Sequence, residues 1–243
     1  MNVFLAGATG VIGRRLCVLL RRAGHDVTGT TRSEINAAAL KTLGVRAAIV
    51  DVFDAKMLLK AMAAAQPDAV IHQLTDLPDV IDPAGLPAMR AANARLRREG
   101  TRNLMNACEV LEVRRVIAQS IAWIYAPGMK PYRESDPLDE SGQGTDRETL
   151  NGVLALEDAV IQSPGIDGLV LRYGRLYGPG TWTETPKGTA PLHVDAAAQA
   201  AFLALTRGNA GIYNVAEDDG EVDSSRAKLE FGFSAAFRMD AST

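Results

Sequence analysis

The chain has 243 residues, of which 47% are hydrophobic and 23% are charged, and its formal net charge is −3. This length suits one large domain or a domain with a small appendage. The slightly acidic balance argues against nucleic acid or a membrane surface as a partner, and no apolar run approaches the ~20 residues of a membrane span.

The first stretch of the chain has the pattern of a phosphate-binding turn. Residues 2–6 are apolar and predict a buried strand, and Gly7, Gly10 and Gly13 follow before an amphipathic helical pattern that ends at Gly24. Gly7 would permit a tight turn, Gly10 would let phosphates approach the backbone, and Gly13 would let the helix pack on the strand. A helix N-terminus there would attract the anion. The alternative is a tight turn with no ligand.

Strands and helices alternate along the next part of the chain. Further strands are predicted at 27–31, 45–50, 69–73, 115–119 and 168–173, and helices at 34–43, 54–65, 88–111 and 148–162. Such alternation predicts an α/β fold with a doubly wound parallel sheet, in which ligands bind at the carboxyl ends of the strands.

The pattern changes after residue 175. A loop is expected at 178–191, followed by a helix at 195–206, a strand at 212–216 and a short helix at 224–231. An earlier stretch, 126–148, is rich in Pro, Gly and acids and predicts an excursion over the ligand site. We interpret four of its acids as a solvated acidic loop; they are Glu134, Asp136, Asp139 and Glu140.

The end of the second predicted strand indicates which dinucleotide is preferred. A free ribose 2′-hydroxyl is usually held by an acid there, whereas an arginine accommodates a 2′-phosphate. This strand end has no acid but carries Arg32 and Ser33, and Arg14 lies just beyond the third glycine. The residues therefore favour NADP over NAD, unless Arg32 is only a solvated charge. Asp51 and Val52 could hold the adenine, or Asp51 could simply cap a turn.

Motifs along nearly the whole chain carry a family resemblance. They include Gly-Ala-Thr-Gly-Val-Ile-Gly at 7–13, Val-Ile-His-Gln at 70–73, Glu-Gly-Thr-Arg-Asn-Leu at 99–104, Gln-Ser at 119–120, Leu-Arg-Tyr-Gly-Arg-Leu-Tyr-Gly-Pro-Gly at 171–180, His-Val-Asp at 193–195 and Gly-Ile-Tyr-Asn-Val at 211–215. With them the chain resembles extended short-chain dehydrogenases/reductases of the NAD(P)-dependent epimerase/dehydratase type. The resemblance implies a nicotinamide-binding Rossmann domain over 1–175 and a small substrate lobe over 176–243, packed on it as one unit.

The strand ends and the resemblance together predict the cofactor contacts. These are Gly7, Thr9, Gly10, Val11, Ile12, Gly13, Arg14, Arg32, Ser33, Asp51, Val52, Gln73, Leu74, Thr75, Gln119, Ser120 and Tyr173.

The expected acid/base pair is missing. Active members of the family that this chain resembles carry Tyr-x-x-x-Lys on the helix after the fifth strand. Alignment on Glu157 puts Thr149 and Val153 at the positions of this tyrosine and lysine. No Tyr-x-x-x-Lys occurs in the chain, so it resembles the atypical members that keep the cofactor fold without this pair.

Two hydroxyls remain as candidates for polarising a substrate carbonyl. The usual Ser/Thr position falls on Ile121, and the adjacent Ser120 could substitute for it. Tyr125 follows closely, although a phenol with a pKa of about 10 is a poor base without a cationic neighbour, for which Arg172 and Arg175 are the candidates. We therefore predict Ser120 and Tyr125 as the catalytic residues.

The substrate lobe is predicted to be small, because only twelve residues separate Gly180 from His193. The pocket is then open or completed by a partner. Trp123 and Trp182 could line it, although burial in the core is the default expectation for a tryptophan. The resemblance also suggests a homodimer paired through the helices at 88–111 and 148–162.

Three functions are compatible with these residues. The first is an NADP(H)-dependent oxidoreductase that reduces a small carbonyl substrate, the second a non-catalytic NAD(P)-sensing regulator, and the third a sugar-nucleotide epimerase or dehydratase. The three histidines are dispersed, so no metal site is predicted, and His72 is expected to be a hydrogen-bonded core residue. Two isolated cysteines and the lack of a signal-peptide pattern predict a cytoplasmic location.

Overall fold

A parallel sheet of seven strands forms the centre of the fold in the computed structural model, which describes residues 1–78, 80, 82–142 and 144–239. The strands are β1 Asn2–Ala6, β2 Asp26–Thr31, β3 Arg46–Ile49, β4 Ala69–His72, β5 Arg115–Ile121, β6 Asp167–Tyr173, β7 Arg175–Tyr177, β8 Pro191–His193 and β9 Gly211–Val215. The large sheet has the order β3-β2-β1-β4-β5-β6-β9, and β7 pairs with β8 in a small second sheet. The order reverses direction between β1 and β4, which is where such sheets bind ligands.

Helices cover both faces of this sheet. They are α1 Val11–Arg22, α2 Glu34–Thr42, α3 Ala55–Ala65, α4 Leu86–Arg95, α5 Thr101–Val110, α6 Arg147–Ile161, α7 Val194–Ala204 and α8 Ser225–Phe231. One core lies under α1 and α7, and the second lies under α3, α5 and α6. This architecture confirms the predicted Rossmann-type doubly wound fold. No helix in the described ranges is long and apolar enough to cross a membrane.

The segment after residue 175 shares the sheet and the core with the residues before it. Strand β9 pairs with β6, and α7 packs against α1. The predicted boundary at 175 separates two stretches of sequence that are joined by main-chain hydrogen bonds and by a common core.

Two parts of the fold differ from the sequence prediction. The predicted single helix at 88–111 is divided into α4 and α5 by a π-helical turn, Leu96–Gly100, and Gly100 lies so close to Val52 that a Cβ there would be 3.0 Å from Val52 Cγ1. The stretch predicted to be a loop at 178–191 ends in β8, and β7 precedes it. Strands of three residues are too short to show a periodic pattern.

The excursion after β5 is held by a buried acid, so its acids are not all solvated as predicted. Asp139 is 1% exposed and accepts hydrogen bonds from the Ser141 hydroxyl and from the backbone N–H groups of Gly144, at 2.6 Å, and Thr145, at 3.0 Å. These bonds lower the pKa of Asp139 to about 2. Glu134 is also engaged, because its Oε1 accepts a 2.8 Å hydrogen bond from the Asn214 N–H.

Replacing Asp139 with Ala should lower Tm at pH 7, because the donors around this carboxylate lose their acceptor. A carboxyl whose folded pKa is depressed stabilises the fold above its ordinary value of 3.8 and loses this effect as pH falls toward about 2. The difference in Tm between wild type and Asp139→Ala should therefore narrow over that pH range. Thermal unfolding measured at several pH values tests this, with the exposed Glu140→Ala as the control. A difference that stays constant down to pH 2 would contradict the expectation.

Candidate functional site

The turn after β1 has the three-glycine geometry expected of a phosphate-binding loop. Gly7 has a φ of +89°, and a Cβ there would lie 2.6 Å from the Gln73 carbonyl oxygen. A Cβ at Gly13 would lie 2.1 Å from the Gly7 oxygen, so both glycines are required by the packing of the turn. A Cβ at Gly10 would meet only the Gly7 oxygen, at an ordinary 3.5 Å. The internal packing of the described chain therefore does not explain why residue 10 has no side chain.

An open groove lies above the carboxyl ends of the first four strands. It is lined by Ala6, Gly7, Thr9, Gly10, Thr30, Thr31, Arg32, Val50, Asp51, Val52, Phe53, Leu58, Gln73, Leu74, Thr75, Leu77 and Leu96. Nine of the predicted cofactor contacts are among them: Gly7, Thr9, Gly10, Arg32, Asp51, Val52, Gln73, Leu74 and Thr75. The other eight predicted contacts lie outside this lining: Val11, Ile12, Gly13, Arg14, Ser33, Gln119, Ser120 and Tyr173.

Several lining residues were not identified from the sequence. Thr30 and Thr31 end β2, and Phe53 follows Val52, so their positions at strand ends could have indicated them. Leu77 and Leu96 come from a loop and from the π-helical turn, and nothing in the local pattern marks them.

The polar groups at the edge of the groove are only partly engaged. Arg32 has a 68% exposed side chain, and its Nη2 lies 3.8 Å from Asp76 Oδ1. The Ser33 hydroxyl caps α2 by accepting from Asn36 N at 3.4 Å. Arg14 donates from Nε to the Thr9 carbonyl at 2.9 Å. Arg32 therefore has a guanidinium available at the end of β2.

Asp51 and Gln73 lie at two other strand ends of the groove. Asp51 Oδ1 accepts from Phe53 N at 2.9 Å, which is the turn-capping contact considered above as an alternative. Gln73 is buried, and its Oε1 has no hydrogen-bond partner in the described chain, while its Nε2 lies 3.5 Å from the Tyr173 hydroxyl. An unpaired buried carbonyl oxygen in a groove is suited to accept a ligand donor.

A buried polar network occupies the neighbouring part of the site. The Ser120 hydroxyl donates to Glu157 Oε1 at 2.7 Å, and Arg172 forms a bidentate pair with Glu157 at 2.9 and 2.7 Å. Arg172 Nη1 also donates to the Tyr125 hydroxyl at 2.9 Å, and that hydroxyl donates to Asn214 Oδ1 at 2.6 Å. The structure thus brings the two predicted catalytic hydroxyls into one network through Glu157 and Arg172.

Both of these hydroxyls give their hydrogen to an acceptor within the protein. Ser120 is 1% exposed. Burial raises the pKa of Tyr125, and the nearby Arg172 lowers it only in part, so the phenol stays neutral near pH 7. The roles of Glu157 and Asn214 were not identified from the sequence, although a charged Arg172 within the buried run of β6 is a signal of a buried partner.

The face of α6 that carries the acid/base pair in the resembling enzymes has neither group here. The Thr149 hydroxyl donates to Asp146 Oδ2 at 2.8 Å. Val153 is fully buried in an apolar cluster with Ile121 and Leu150.

His72 is a core histidine, as predicted. Its Nε2 lies 3.0 Å from the Thr101 hydroxyl, and its Nδ1 accepts from Leu74 N at 3.2 Å. Burial, assisted by the positive charge of Arg97, lowers the pKa of His72 to about 4, so it is neutral at physiological pH. Within the described residues, no group of three or more His, Cys, Asp or Glu side chains is placed to hold a metal ion.

The two tryptophans occupy different environments. Trp182 is 47% exposed and donates from Nε1 to the Pro78 carbonyl at 3.0 Å, so it links the loop after β7 to the loop after β4. Trp123 packs under the Arg175 guanidinium, which lies 4.8 Å from a ring centroid.

The fold and the glycine turn define a dinucleotide-binding protein of the Rossmann class. The model of the NAD dependent epimerase/dehydratase family matches residues 3–211, and the chain belongs to this family. Membership supports a nicotinamide dinucleotide as the cofactor.

Known relatives and solved structures agree with this assignment. A 3-diazoavenalumate denitrifying reductase from Streptomyces sp is 40% identical over 233 residues, which are 95% of this chain and 72% of that protein. A UDP-glucose 4-epimerase from Thermotoga maritima superposes with a TM-score of 0.78 at 17% identity, covering 96% of this chain and 93% of the other. A dTDP-glucose 4,6-dehydratase from Streptomyces venezuelae, solved with NAD, has a TM-score of 0.75 at 17% identity, with 96% and 92% coverage. At these identities the two structures show a common fold.

Removing the charge of Glu157 should destabilise the protein strongly. Glu157→Gln leaves the buried Arg172 without a counter-charge, which costs about 3–5 kcal/mol in the free energy of unfolding. The exposed pair of Arg98 with Glu148, also on α6, is the control: Glu148→Gln should cost only about 0–1 kcal/mol. Urea unfolding measures both variants, and equal losses would contradict a special role of the buried pair.

Proposed function

We propose that this protein is an NADP(H)-dependent oxidoreductase of the atypical short-chain class that reduces a small carbonyl substrate. The proposal rests mainly on the glycine at position 10. The fold has room for a Cβ there, but the lack of a side chain keeps the groove open at the N-terminus of α1. The 40% identical relative is named as a reductase, which supports the same class of reaction for this chain.

The residues of the groove fit a nicotinamide dinucleotide. The unpaired N–H groups at the start of α1 would bind the pyrophosphate beside Gly10, and Asp51 would accept a hydrogen bond from the adenine. The unpaired Gln73 Oε1 would accept a donor from the part of the cofactor that crosses β4. Bound NADPH supplies a hydride, and the protein binds and orients it.

NADP rather than NAD is proposed from the end of β2. Arg32 lines the groove there with its guanidinium exposed, and β2 ends without an acid. A guanidinium can bind a 2′-phosphate through two parallel hydrogen bonds.

Ser120 and Tyr125 are proposed to face the reacting carbonyl. To donate to the substrate oxygen, either hydroxyl would first have to break the hydrogen bond that it donates within the protein. Tyr125 is better placed to do so than Ser120, because Tyr125 is half-buried and Ser120 is fully buried. A homodimer and a cytoplasmic location stay predictions.

A non-catalytic dinucleotide sensor is the second candidate. The observation that favours it is the engagement of both hydroxyls inside the protein, together with the missing Tyr-x-x-x-Lys pair. Epimerase or dehydratase chemistry on a sugar nucleotide is less favoured because it depends on that pair. Steady oxidation of NADPH with any member of a broad carbonyl panel would exclude the sensor, and tight NADPH binding without turnover of any of them would count against the enzyme.

Gly10→Ala should weaken NADPH binding without unfolding the protein. A methyl group at residue 10 meets no internal atom closer than 3.5 Å, so Tm should stay near the wild-type value while Kd rises about tenfold or more. Gly13→Ala is the contrasting variant, since its methyl would overlap the Gly7 oxygen, and it should lower Tm. Nicotinamide fluorescence and thermal unfolding measure the two effects. Unchanged NADPH affinity in a folded Gly10→Ala protein would indicate that the turn binds no phosphate.

Arg32→Ala should weaken NADPH binding selectively. Losing a charged donor to the 2′-phosphate should raise the Kd for NADPH about tenfold or more and leave the Kd for NADH nearly unchanged. Arg46→Ala is the control, because Arg46 is exposed at the opposite, amino end of β3. Tighter binding of NADH than of NADPH by the wild-type protein would refute the choice of cofactor.

A further inference from the structure

Among the residues that the structure describes, Arg97 has no hydrogen-bond or ion-pair partner, whereas the neighbouring Arg95 and Arg98 are both paired. Arg95 Nε lies 3.0 Å from Glu99 Oε2, and Arg98 Nη1 lies 2.9 Å from Glu148 Oε1. Arg97 is half-buried and forms no hydrogen bond or ion pair with any residue that the structure describes. It lies in the π-helical turn between α4 and α5, and such turns are frequent at functional sites.

Two residues close to Arg97 in sequence contact other elements of the fold and so locate this part of the helix. Ala94, three residues earlier, packs so closely on α6 that a Cβ at Gly152 would be 3.1 Å from the Ala94 Cβ. Thr101, four residues later, contacts His72 at the end of β4. The positive charge of Arg97 acts on His72 at the end of β4, and the carboxylates of Glu157 and Asp146 beside α6 act on Arg97, so Arg97 lies between α6 and the carboxyl end of β4.

The charges around Arg97 come from the same face of α6. Desolvation lowers the pKa of Arg97 to about 10, and the carboxylates of Glu157 and Asp146 act in the opposite direction. Arg97 is therefore protonated at neutral pH. Residues 146, 149, 153 and 157 are spaced three or four apart along one face, and Thr149 and Val153 hold the positions of the missing acid/base pair.

Neither carboxylate neutralises Arg97, because each already has its own arginine. Glu157 forms the bidentate pair with Arg172, and Asp146 Oδ2 lies 3.4 Å from Arg90 Nε. The cluster thus has three guanidinium groups and two carboxylates. One positive charge therefore has no counter-charge, and it is that of Arg97. The Arg97 side chain is partly removed from water and forms no hydrogen bond with a described residue, which is energetically unfavourable. An anionic ligand bound to Arg97 would offset this cost.

We infer that Arg97 is the cationic residue of the substrate site and binds the carboxylate of a small monoanionic substrate. This inference rests on the proposed function. A guanidinium matches a planar carboxylate through two parallel N–H···O bonds, and a single surplus charge matches a monoanion.

Calorimetric titration of the NADPH-loaded protein tests this inference. The probes are benzoate and trans-cinnamate, each compared with its neutral amide, benzamide and trans-cinnamamide. We expect each carboxylate to bind at least about tenfold more tightly than its amide, and Arg97→Met to abolish this preference. Arg97→Lys should retain part of it, since it keeps the charge and loses the planar fork. Arg98→Met, on the same turn but paired with Glu148, should bind like wild type.

Each other result identifies which proposal fails. Equal binding of acid and amide by the wild-type protein, or an Arg97→Met variant that keeps the preference, would overturn the role of Arg97. If NADPH binds normally and no carboxylate binds, this inference alone fails. If NADPH itself does not bind, the proposed function fails first. If Arg97→Met does not fold, Arg97→Lys and the wild-type comparison of acid with amide decide the question.

Discussion

The buried ion pair between Glu157 and Arg172 is the interaction on which the arrangement of the cleft depends. Removing two such charges from water is costly, and it is offset here by the bidentate geometry and by the added bonds to Ser120 and Tyr125. The pair therefore fixes α6 over β5 and β6 in one register. That register determines which face of α6 turns toward the strand ends, and it holds Val153 in the apolar core.

Most of the fold was predictable because buried parallel strands and amphipathic helices have clear periodic patterns. Each of the seven strands of the large sheet was predicted to within two residues at either end, and Asp54 caps α3 as expected. The π-helical turn between α4 and α5 was not predicted, because one wider turn inside a long helix has no distinct periodic pattern in the sequence. In this turn Gly100 lies close to Val52, a residue from a distant part of the chain.

The two halves of the site differ in how far the sequence could predict them. The glycine turn and the strand ends follow from local pattern and from topology, so the groove contains Gly10, Arg32 and Gln73 as expected. The environment of the hydroxyls depends on partners far away in the chain. Ser120 bonds to a residue 37 positions later, and Tyr125 bonds to one 89 positions later. A sequence pattern shows which hydroxyl groups are present, but it does not show whether each hydroxyl already donates its hydrogen to another residue of the protein.

The lack of the usual acid/base pair also restricts the chemistry that the cleft can perform. A tyrosine whose pKa is lowered by a lysine can give and take a proton, whereas a guanidinium stays protonated near neutral pH and acts only as a fixed donor. Arg97 can orient a carboxylate and stabilise negative charge, but it cannot deliver the proton that follows hydride transfer. Because Tyr125 is neutral and its hydrogen is held by Asn214, that proton would have to come from solvent, from the substrate itself or from a rearranged Tyr125. The small substrate lobe predicted from the twelve residues between Gly180 and His193 would leave a cleft that water can reach.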